Sequence, residues 1–400
     1  MKGLTGRRLN QRIIAGVVAV LMTLSPFCQT AYAVSVHKEP PAPLELTVQA
    51  AVDLAMKNND SIKAAELAKE DAALNKSIRQ KEYAQSIVDG PKYSTFGQDA
   101  SLYGMKIHNI QSDISKMAYG LTKEAVDVGV RQLYWNILLQ DSAIETAQIQ
   151  MNYAEKQYRN AQLKKTVGLL TETSVLQAKA AYESTKAALT SAEGNKQTAM
   201  DALKKQIGVK AGTEIILTET LPEFTPIDIQ DVDYYVEKIV LNAPTLKIQD
   251  KAVEATKYGG EAQKISVLTN MMNVTINPAT GQMEQPGIRF SQEDQERQTE
   301  IGTENARIDR VKAEKDLRDT VRSLYYDALA LEANYESLQQ AMRTAEEALK
   351  TKQQMFDLGM ATELEVLEAE QVCATYEDQF KKLVIGHSID SLKLEHPWCA

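Results

Sequence analysis

The stretch FDLGMATELEVLEAE, residues 356–370, decides the fold of this chain. It interrupts a long helical pattern at Gly359 and restarts the pattern at once. A similar stretch, KTVGLLTETSVLQAK, occupies residues 165–179. A constant shift of 191 residues aligns turn and core positions of the two stretches, as in the pairs Gly168–Gly359, Thr171–Thr362, Val175–Val366 and Ala178–Ala369. A fixed shift of this length indicates a duplicated unit.

The residues around each stretch indicate a long helical hairpin. Apolar residues recur at alternating steps of four and three, which is the heptad pattern of a coiled coil. Before the turn of the second copy they are Leu317, Val321, Leu324, Ala328, Leu331 and Tyr335. A helix from about residue 305 to 357 would be roughly 80 Å long at 1.5 Å per residue, too long for an ordinary globular core. We therefore predict a mainly α chain built from two duplicated coiled-coil hairpins.

The turn of each hairpin has its own sequence signals. Gly168 and Gly359 suit the position just past a helix end, where the backbone must be left-handed. Thr171 and Thr362 suit the N-cap of the returning helix, and Glu365 follows Thr362 by three residues, as in a capping box. The chain is therefore predicted to reverse direction sharply at both glycines.

Residues 1–33 are predicted to be an export signal. Four basic residues precede a short apolar run, and the sequence AYA at residues 31–33 forms a small-x-small cleavage site. Cys28 raises the alternative of a lipoprotein, but Ser25 stands where that signal requires leucine or a similar residue. We expect the exported chain to begin at Val34.

The rest of the chain divides into four segments. A Pro-rich lead-in precedes the first copy, and a linker with one predicted short strand, TEIILT, joins the two copies. Each copy is predicted to start with two helices that are shorter than those of its hairpin. The boundaries are 34–45 for the lead-in, 46–208 for the first repeat, 209–230 for the linker and 231–400 for the second repeat.

The regions between the shorter and the longer helices are predicted to hold reduced β-strand segments. The first runs from about Tyr83 to Gly104, and the second is predicted to pair Met272–Ile276 with Gly287–Ser291 around a turn at 277–281. A membrane β-strand needs about 9–11 residues of alternating pattern. The first segment can hardly supply two such strands and a turn. A membrane barrel built from these segments would be short or absent.

Charge and motifs argue against nucleic acid as a partner and against an enzyme. The formal net charge is −9, and without residues 1–33 the chain has 41 basic and 54 acidic residues, a net charge of −13. The sequence contains no phosphate loop and no HExxH, CxxC or GxSxG motif, so we expect no cofactor and no metal site. We interpret His387 as a tolerated residue near a helix end. Packing explains Cys373 and the aromatic pairs Tyr134-Trp135 and Tyr325-Tyr326.

The ordered motifs resemble the TolC family of outer-membrane efflux proteins. They are LTVQAAVDLAMKNND, VGLLTETSVLQAKAAYE, LNAPTL and FDLGMATELEVLEAE. The resemblance implies a homotrimer in which each chain gives two strand pairs to a membrane barrel and helical hairpins to a tunnel across the periplasm. It also implies a periplasmic adaptor that meets the hairpin tips and an inner-membrane pump linked through that adaptor. Asp60 departs from the family, which usually has proline there, whereas Pro244 keeps it in the second copy.

The resemblance also implies candidate site residues. Glu365 and Glu368 stand at the positions of acids that ring the tunnel mouth in the family, and we expect their mutual repulsion to raise their pKa values. Ala361 replaces an arginine of the family's gate contacts. A solvated coiled-coil flank is the alternative interpretation of the acids between residues 353 and 380. The predicted adaptor contacts are the least charged residues of the two tips, Gly168, Leu169, Gly359 and Met360.

Two functional hypotheses follow. The first is an outer-membrane channel subunit of a tripartite efflux or export system, a passive conduit that extends into the periplasm and works with an adaptor and a pump. The second is a non-conducting periplasmic helical scaffold that has kept the hairpins and lost the membrane barrel. The two differ in whether the reduced strand segments insert in a membrane.

Overall fold

The structure is a computed structural model that describes residues 43–89, 95–272, 275–276, 283–284 and 289–399. The expected export signal, most of the lead-in and the turn expected at 277–281 lie outside these residues. None of the helices in the described part of the chain combines the length and the apolarity that a membrane span requires.

Eight α-helices make up most of the described chain, and their lengths repeat. They run over 11, 29, 72 and 35 residues in the first half and over 11, 29, 69 and 33 in the second. The predicted mainly α fold with two duplicated hairpins is confirmed. The helices are α1 Val48–Asn58, α2 Asp60–Val88, α3 Thr95–Thr166, α4 Glu172–Gln206, α5 Val232–Asn242, α6 Pro244–Met272, α7 Arg289–Asp357 and α8 Glu363–Glu395.

The long helices extend further than their heptad patterns predicted. Helix occupies both described parts of the segment from Tyr83 to Gly104, where reduced strands were expected. That expectation is wrong for the described residues because α2 packs along α3 there: Gln80 Nε2 donates to Asn109 Oδ1 at 3.2 Å, and Gln98 Nε2 to the Ser86 carbonyl at 3.2 Å. The free energy gained from this packing exceeds the cost of about 1 kcal/mol that a glycine in the segment imposes on a helix.

Four short strands form two small sheets. β1 (Leu44–Leu46) pairs in parallel with β2 (Ile215–Leu217), which confirms the strand predicted in the linker. β3 (Thr275–Ile276) pairs antiparallel with β4 (Met283–Glu284). The pairing predicted for Gly287–Ser291 is therefore wrong, because the partner strand lies earlier and α7 already begins at Arg289.

Two apolar cores hold the helices together, one in each half. In the first, Tyr134 is fully buried; its hydroxyl donates to the Leu46 carbonyl at 2.9 Å and accepts from the Glu219 amide at 3.0 Å. One side chain thus ties α3 to β1 and to the linker. In the second core, Val321 packs with residues of α5 and α6. Packing explains Tyr134, but Tyr326 is 58% exposed, so packing within the chain does not explain it.

Asn59 joins three helix ends. Its Oδ1 accepts from the Ser61 amide at 2.8 Å and caps the start of α2. Its Nδ2 donates to the Gln206 carbonyl at 2.8 Å, at the last residue of α4. Gly208, just past α4, packs so closely that a Cβ there would lie 2.6 Å from Asn58 Cβ. The equivalent junction in the second half uses Ala243 followed by Pro244 at the first helical position, which needs no side-chain cap.

We expect Asn59→Ala to lower stability by about 2 kcal/mol, because it removes an N-cap and also leaves the partly buried Gln206 carbonyl without its donor. The matched control is Thr47→Ala, which removes only the N-cap of α1, a single bond to the Ala50 amide, and should cost about 1 kcal/mol. The measurement is urea unfolding followed by circular dichroism. Equal losses would show that the bond to Gln206 contributes nothing.

Candidate functional site at the hairpin tips

The two hairpin turns have the same backbone structure. At the first, the Gly168 amide donates to the Lys165 carbonyl at 2.9 Å and the Leu169 amide to the Lys164 carbonyl at 2.8 Å. Gly168 has φ 79°, in the left-handed region. This is the Schellman pattern, in which two crossed bonds satisfy the last carbonyls of a helix and the glycine turns the chain outward.

The second tip repeats the pattern residue for residue. The Gly359 amide donates to the Phe356 carbonyl at 2.9 Å, and the Met360 amide to the Met355 carbonyl at 2.7 Å. Gly359 has φ 70°. The predicted glycine turns are thus present at both ends, and a Cβ added at either glycine would meet nothing within 4 Å. The requirement for glycine is therefore one of backbone conformation and not of space.

Apolar side chains project from both tips. Leu169 is 72% exposed and Met360 70%, and both follow their glycine directly. These two predicted contact residues therefore lie at the surface with their side chains unpacked. Other large apolar residues exposed near the tips are Leu163, Val167, Phe356 and Leu358.

The Glu365 side chain forms part of the N-terminal cap of α8. Its Oε2 accepts from the Thr362 amide at 2.8 Å, which completes the predicted capping box with Thr362. Its Oε1 accepts from Lys352 Nζ at 3.2 Å. The bond from the Thr362 backbone and then the Lys352 ammonium lower the pKa of Glu365 to about 2. The expected rise in its pKa is wrong for this chain, because hydrogen bonds and a cation lie closer than any acid.

Glu368, one turn further along α8, is in a different state. Its side chain is exposed, and no hydrogen bond or ion pair within the described residues engages it. The two predicted gate acids thus lie on one face of α8, three residues apart, with one carboxylate bound and the other free. Lys352 was not identified from the sequence as a partner of Glu365. The signal that could have identified it is its position opposite Glu365 in the second hairpin, from which a lysine side chain can reach across the turn.

Other acids of the run also have partners. Glu363 forms an ion pair with Lys156 of α3, which links the second hairpin to the first close to the tips. Asp378 is buried, where it accepts from Ser142 Oγ at 3.1 Å and from Lys382 Nζ at 2.6 Å. A solvated flank is therefore not a sufficient description of these acids, because two of them fasten α8 to α3 or to itself.

The first tip carries the opposite charge. Lys165 forms an ion pair with Glu172 across the turn, and Lys164 adds a second cation. Thr171 Oγ1 accepts from the Ser174 amide at 3.3 Å, so the N-cap is present without the reciprocal carboxylate of the second tip. The two tips therefore have the same backbone conformation but differ in charge.

The described residues include no cluster of histidine, cysteine, aspartate and glutamate that could hold a metal ion. His387 is buried and its Nε2 lies 2.9 Å from Glu332 Oε1, while its ring packs against Phe224 at 4.5 Å. It is therefore a packed residue about two turns before the end of α8, and Glu332 gives its ring a polar partner.

Comparisons with known proteins agree with this architecture. Residues 104–209 match the model of the outer membrane efflux protein family. No curated protein matches the chain. Among solved structures, the chain is similar to the CmeC outer membrane channel of Campylobacter jejuni, with a TM-score of 0.64, 15% identity and 93% of each chain covered.

Two further outer-membrane proteins show the same likeness. The outer membrane protein VceC of Vibrio cholerae gives a TM-score of 0.58 at 16% identity, over 87% of this chain and 95% of that one. The open state of the MtrE channel of Neisseria gonorrhoeae gives 0.55 at 14%, over 87% of each. At these identities the structural likeness establishes the fold. The resemblance inferred from the motifs is therefore confirmed: residues 104–209 match the outer membrane efflux protein family, and the chain has the fold of TolC-family channels.

Proposed function

We propose that this chain is the outer-membrane channel subunit of a tripartite efflux or export system. It acts as a passive conduit that extends into the periplasm, and the energy comes from an inner-membrane pump reached through a periplasmic adaptor. The observation that carries the proposal is the pair of long hairpins in the fold of solved outer-membrane channels. Two hairpins cannot enclose a tunnel, so the conduit needs several copies of the chain, and the resemblance to the TolC family implies a homotrimer.

The tips are the proposed adaptor contacts. Gly168 and Gly359 present Leu169 and Met360 outward on fixed turns, so each tip offers an exposed apolar side chain. An apolar pad on a rigid turn suits a partner helix that buries it, because little conformational entropy is lost on binding.

A second candidate function is a non-conducting periplasmic scaffold. The observation that favours it is the helix found through both described parts of the segment from Tyr83 to Gly104. A scaffold would use the same tips and the same self-association, and it would carry no current.

Conductance separates the two functions. We expect the purified full-length chain to migrate as a heat-sensitive trimer in mild detergent and to give discrete conductance steps in a planar bilayer. The control is the same preparation after heating to monomer. A stable trimer that never conducts would favour the scaffold, and a monomer at micromolar concentration would contradict both functions.

The tip turns give a second test. Gly168→Val with Gly359→Val should strain two left-handed turns by at least about 1 kcal/mol each and so displace Leu169 and Met360. Export, followed as retention of a fluorescent probe that cells with the parent chain expel, should fall while the trimer persists. The matched control is Gly194→Val, at an exposed helical glycine of α4 with open space around it. Unchanged export in the double variant would remove the tips from the mechanism.

The acids give a third test. We propose that Glu365 and Glu368 surround the tunnel mouth in three copies each and attract cations, which a trivalent cation added at the tip side would reveal as block. Glu368→Gln should relieve the block more than Glu365→Gln, because Lys352 already balances Glu365. The measurement is single-channel current against cation concentration.

Acidification refines this test. Lowering the pH from 7 to 5 should leave Glu365 ionised, since its pKa of about 2 lies well below that range. Its contribution to the helix start is complete above the ordinary glutamate pKa and is lost only as the pH falls toward 2. Block in Glu368→Gln should therefore not change between pH 7 and 5. Greater relief in Glu365→Gln than in Glu368→Gln would contradict this division of roles.

A further inference from the structure

In the half of the molecule far from the tips, α6 packs on both α3 and α7. The Tyr103 ring of α3 and the Tyr258 ring of α6 lie 6.0 Å apart, and Lys106 Nζ lies 5.2 Å and 4.9 Å from the centres of these two rings. An ammonium group beside two tyrosine rings is attracted to both of them. This cluster therefore attaches α6 to α3 at Tyr258.

α6 and α7 touch at Gly260, two residues further along α6. A Cβ at Gly260 would lie 2.0 Å from Thr299 Cγ2 of α7, so even a methyl group would displace one of the two helices. Nearer the tips, Arg310 Nε of α7 donates to Asp250 Oδ1 of α6 at 2.8 Å. The two contacts occur in opposite order along the two helices, so α6 and α7 are antiparallel. Both contacts hold the pair together.

Glycines weaken both helices at the level of the contact with Thr299. α6 has Gly259 and Gly260 in succession, and α7 has Gly302, about 5 Å along the axis from Thr299. A Cβ at Gly259 or Gly302 would meet nothing within 4 Å, and neither residue has a positive φ. Neither space nor backbone conformation therefore requires glycine at these two positions. A glycine inside a helix lowers helix formation about fivefold relative to alanine, and paired small residues are a common place for a helix to bend.

Ion pairs beyond this level stay within single helices. Lys264 pairs with Glu261 of its own helix at 3.4 Å, and Arg297 pairs with Glu300 of its own helix at 3.6 Å. Among the side chains that the structure describes, no ion pair joins α6 to α7 beyond Gly260. A cavity of about 420 Å³ lies between the two helices at this level. The far ends of α6 and α7 can therefore move without breaking an ion pair between them.

We infer that this level is a joint, at which the far end of the α6–α7 pair bends relative to α3 with the contact between Gly260 and Thr299 as the pivot. The bending part comprises residues 261–272 and 289–301, each about 18–20 Å of helix at 1.5 Å per residue. In the proposed conduit such a bend would change the width of the passage at this end while the hairpins stay in place. The joint itself does not rest on that function, because it is a property of one chain.

Spin-label distances along α7 test the joint. Arg297→Cys and Lys312→Cys place labels on either side of Gly302, and Lys312→Cys with Asp327→Cys gives the same spacing of 15 residues without a glycine between them. All three labelled positions are exposed. The full chain, with its native cysteines replaced and diluted with unlabelled chain, is measured by double electron–electron resonance. We expect a distance distribution at least twice as wide for the first pair, and equal widths would overturn the joint.

Alanine should stiffen the joint. Gly259→Ala with Gly302→Ala should narrow the first distribution to the width of the second, because alanine fits both positions and favours the helix. The matched control is Gly120→Ala with Gly194→Ala, at helical glycines that also have open space around them but lie in α3 and α4. The control should leave the first distribution wide. An unchanged width in Gly259→Ala with Gly302→Ala would contradict the inference.

The pivot has a test of its own. Gly260→Ala should push α6 away from α7, because its methyl group would overlap Thr299 Cγ2, and should speed amide hydrogen exchange in residues 256–264 at least tenfold. Adding Thr299→Ser removes the overlapping methyl group and should restore the exchange rates of the parent chain. Thr299→Ser alone is the control. Exchange at the parent rate in Gly260→Ala, or no recovery in the double variant, would show that the pivot is not at this contact.

Discussion

A helix of about seventy residues cannot cover its own apolar stripe, and this constraint governs the rest of the structure. At 1.5 Å per residue such a stripe is about 100 Å long, so only other long helices laid beside it can exclude water along the whole length. α3 meets the constraint with different partners at its two ends: α2 and α6 in one half, α4 and α8 in the other. The same need explains why the lengths of the flanking helices repeat between the two halves.

The turns then decide where each covering helix begins. Crossed backbone bonds at Gly168 and Gly359 end one helix, and Thr171 and Thr362 start the next within a few residues. Nothing in these turns requires a contact with the rest of the chain. The tips can therefore project into solvent as formed structures, and their exposed leucine and methionine are held in place without a supporting core.

Local signals were sufficient to predict the hairpins, the glycine turns and the caps, because each depends on residues within one or two turns of the helix. The features that sequence reasoning missed are contacts between distant residues. The bond from Asn59 to the Gln206 carbonyl, for example, depends on where α4 ends. The same holds for the pairing of Leu44 with Ile215, and for Lys352, which adds an ion pair to the predicted cap residue Glu365. The described parts of the segment from Tyr83 to Gly104 were misjudged for a related reason, since packing between neighbouring helices, and not their own pattern, stabilises them as helix.

The continuity of α3 has a mechanical consequence. No break interrupts this helix between Thr95 and Thr166, so it behaves as one rod whose far ends touch different neighbours. Tilting a rod of about 108 Å by one degree moves its end by roughly 2 Å, which is enough to separate a hydrogen-bonded pair. A small tilt of α3 where it packs on α2 would therefore displace the tip by roughly 2 Å, although the helix itself keeps its shape.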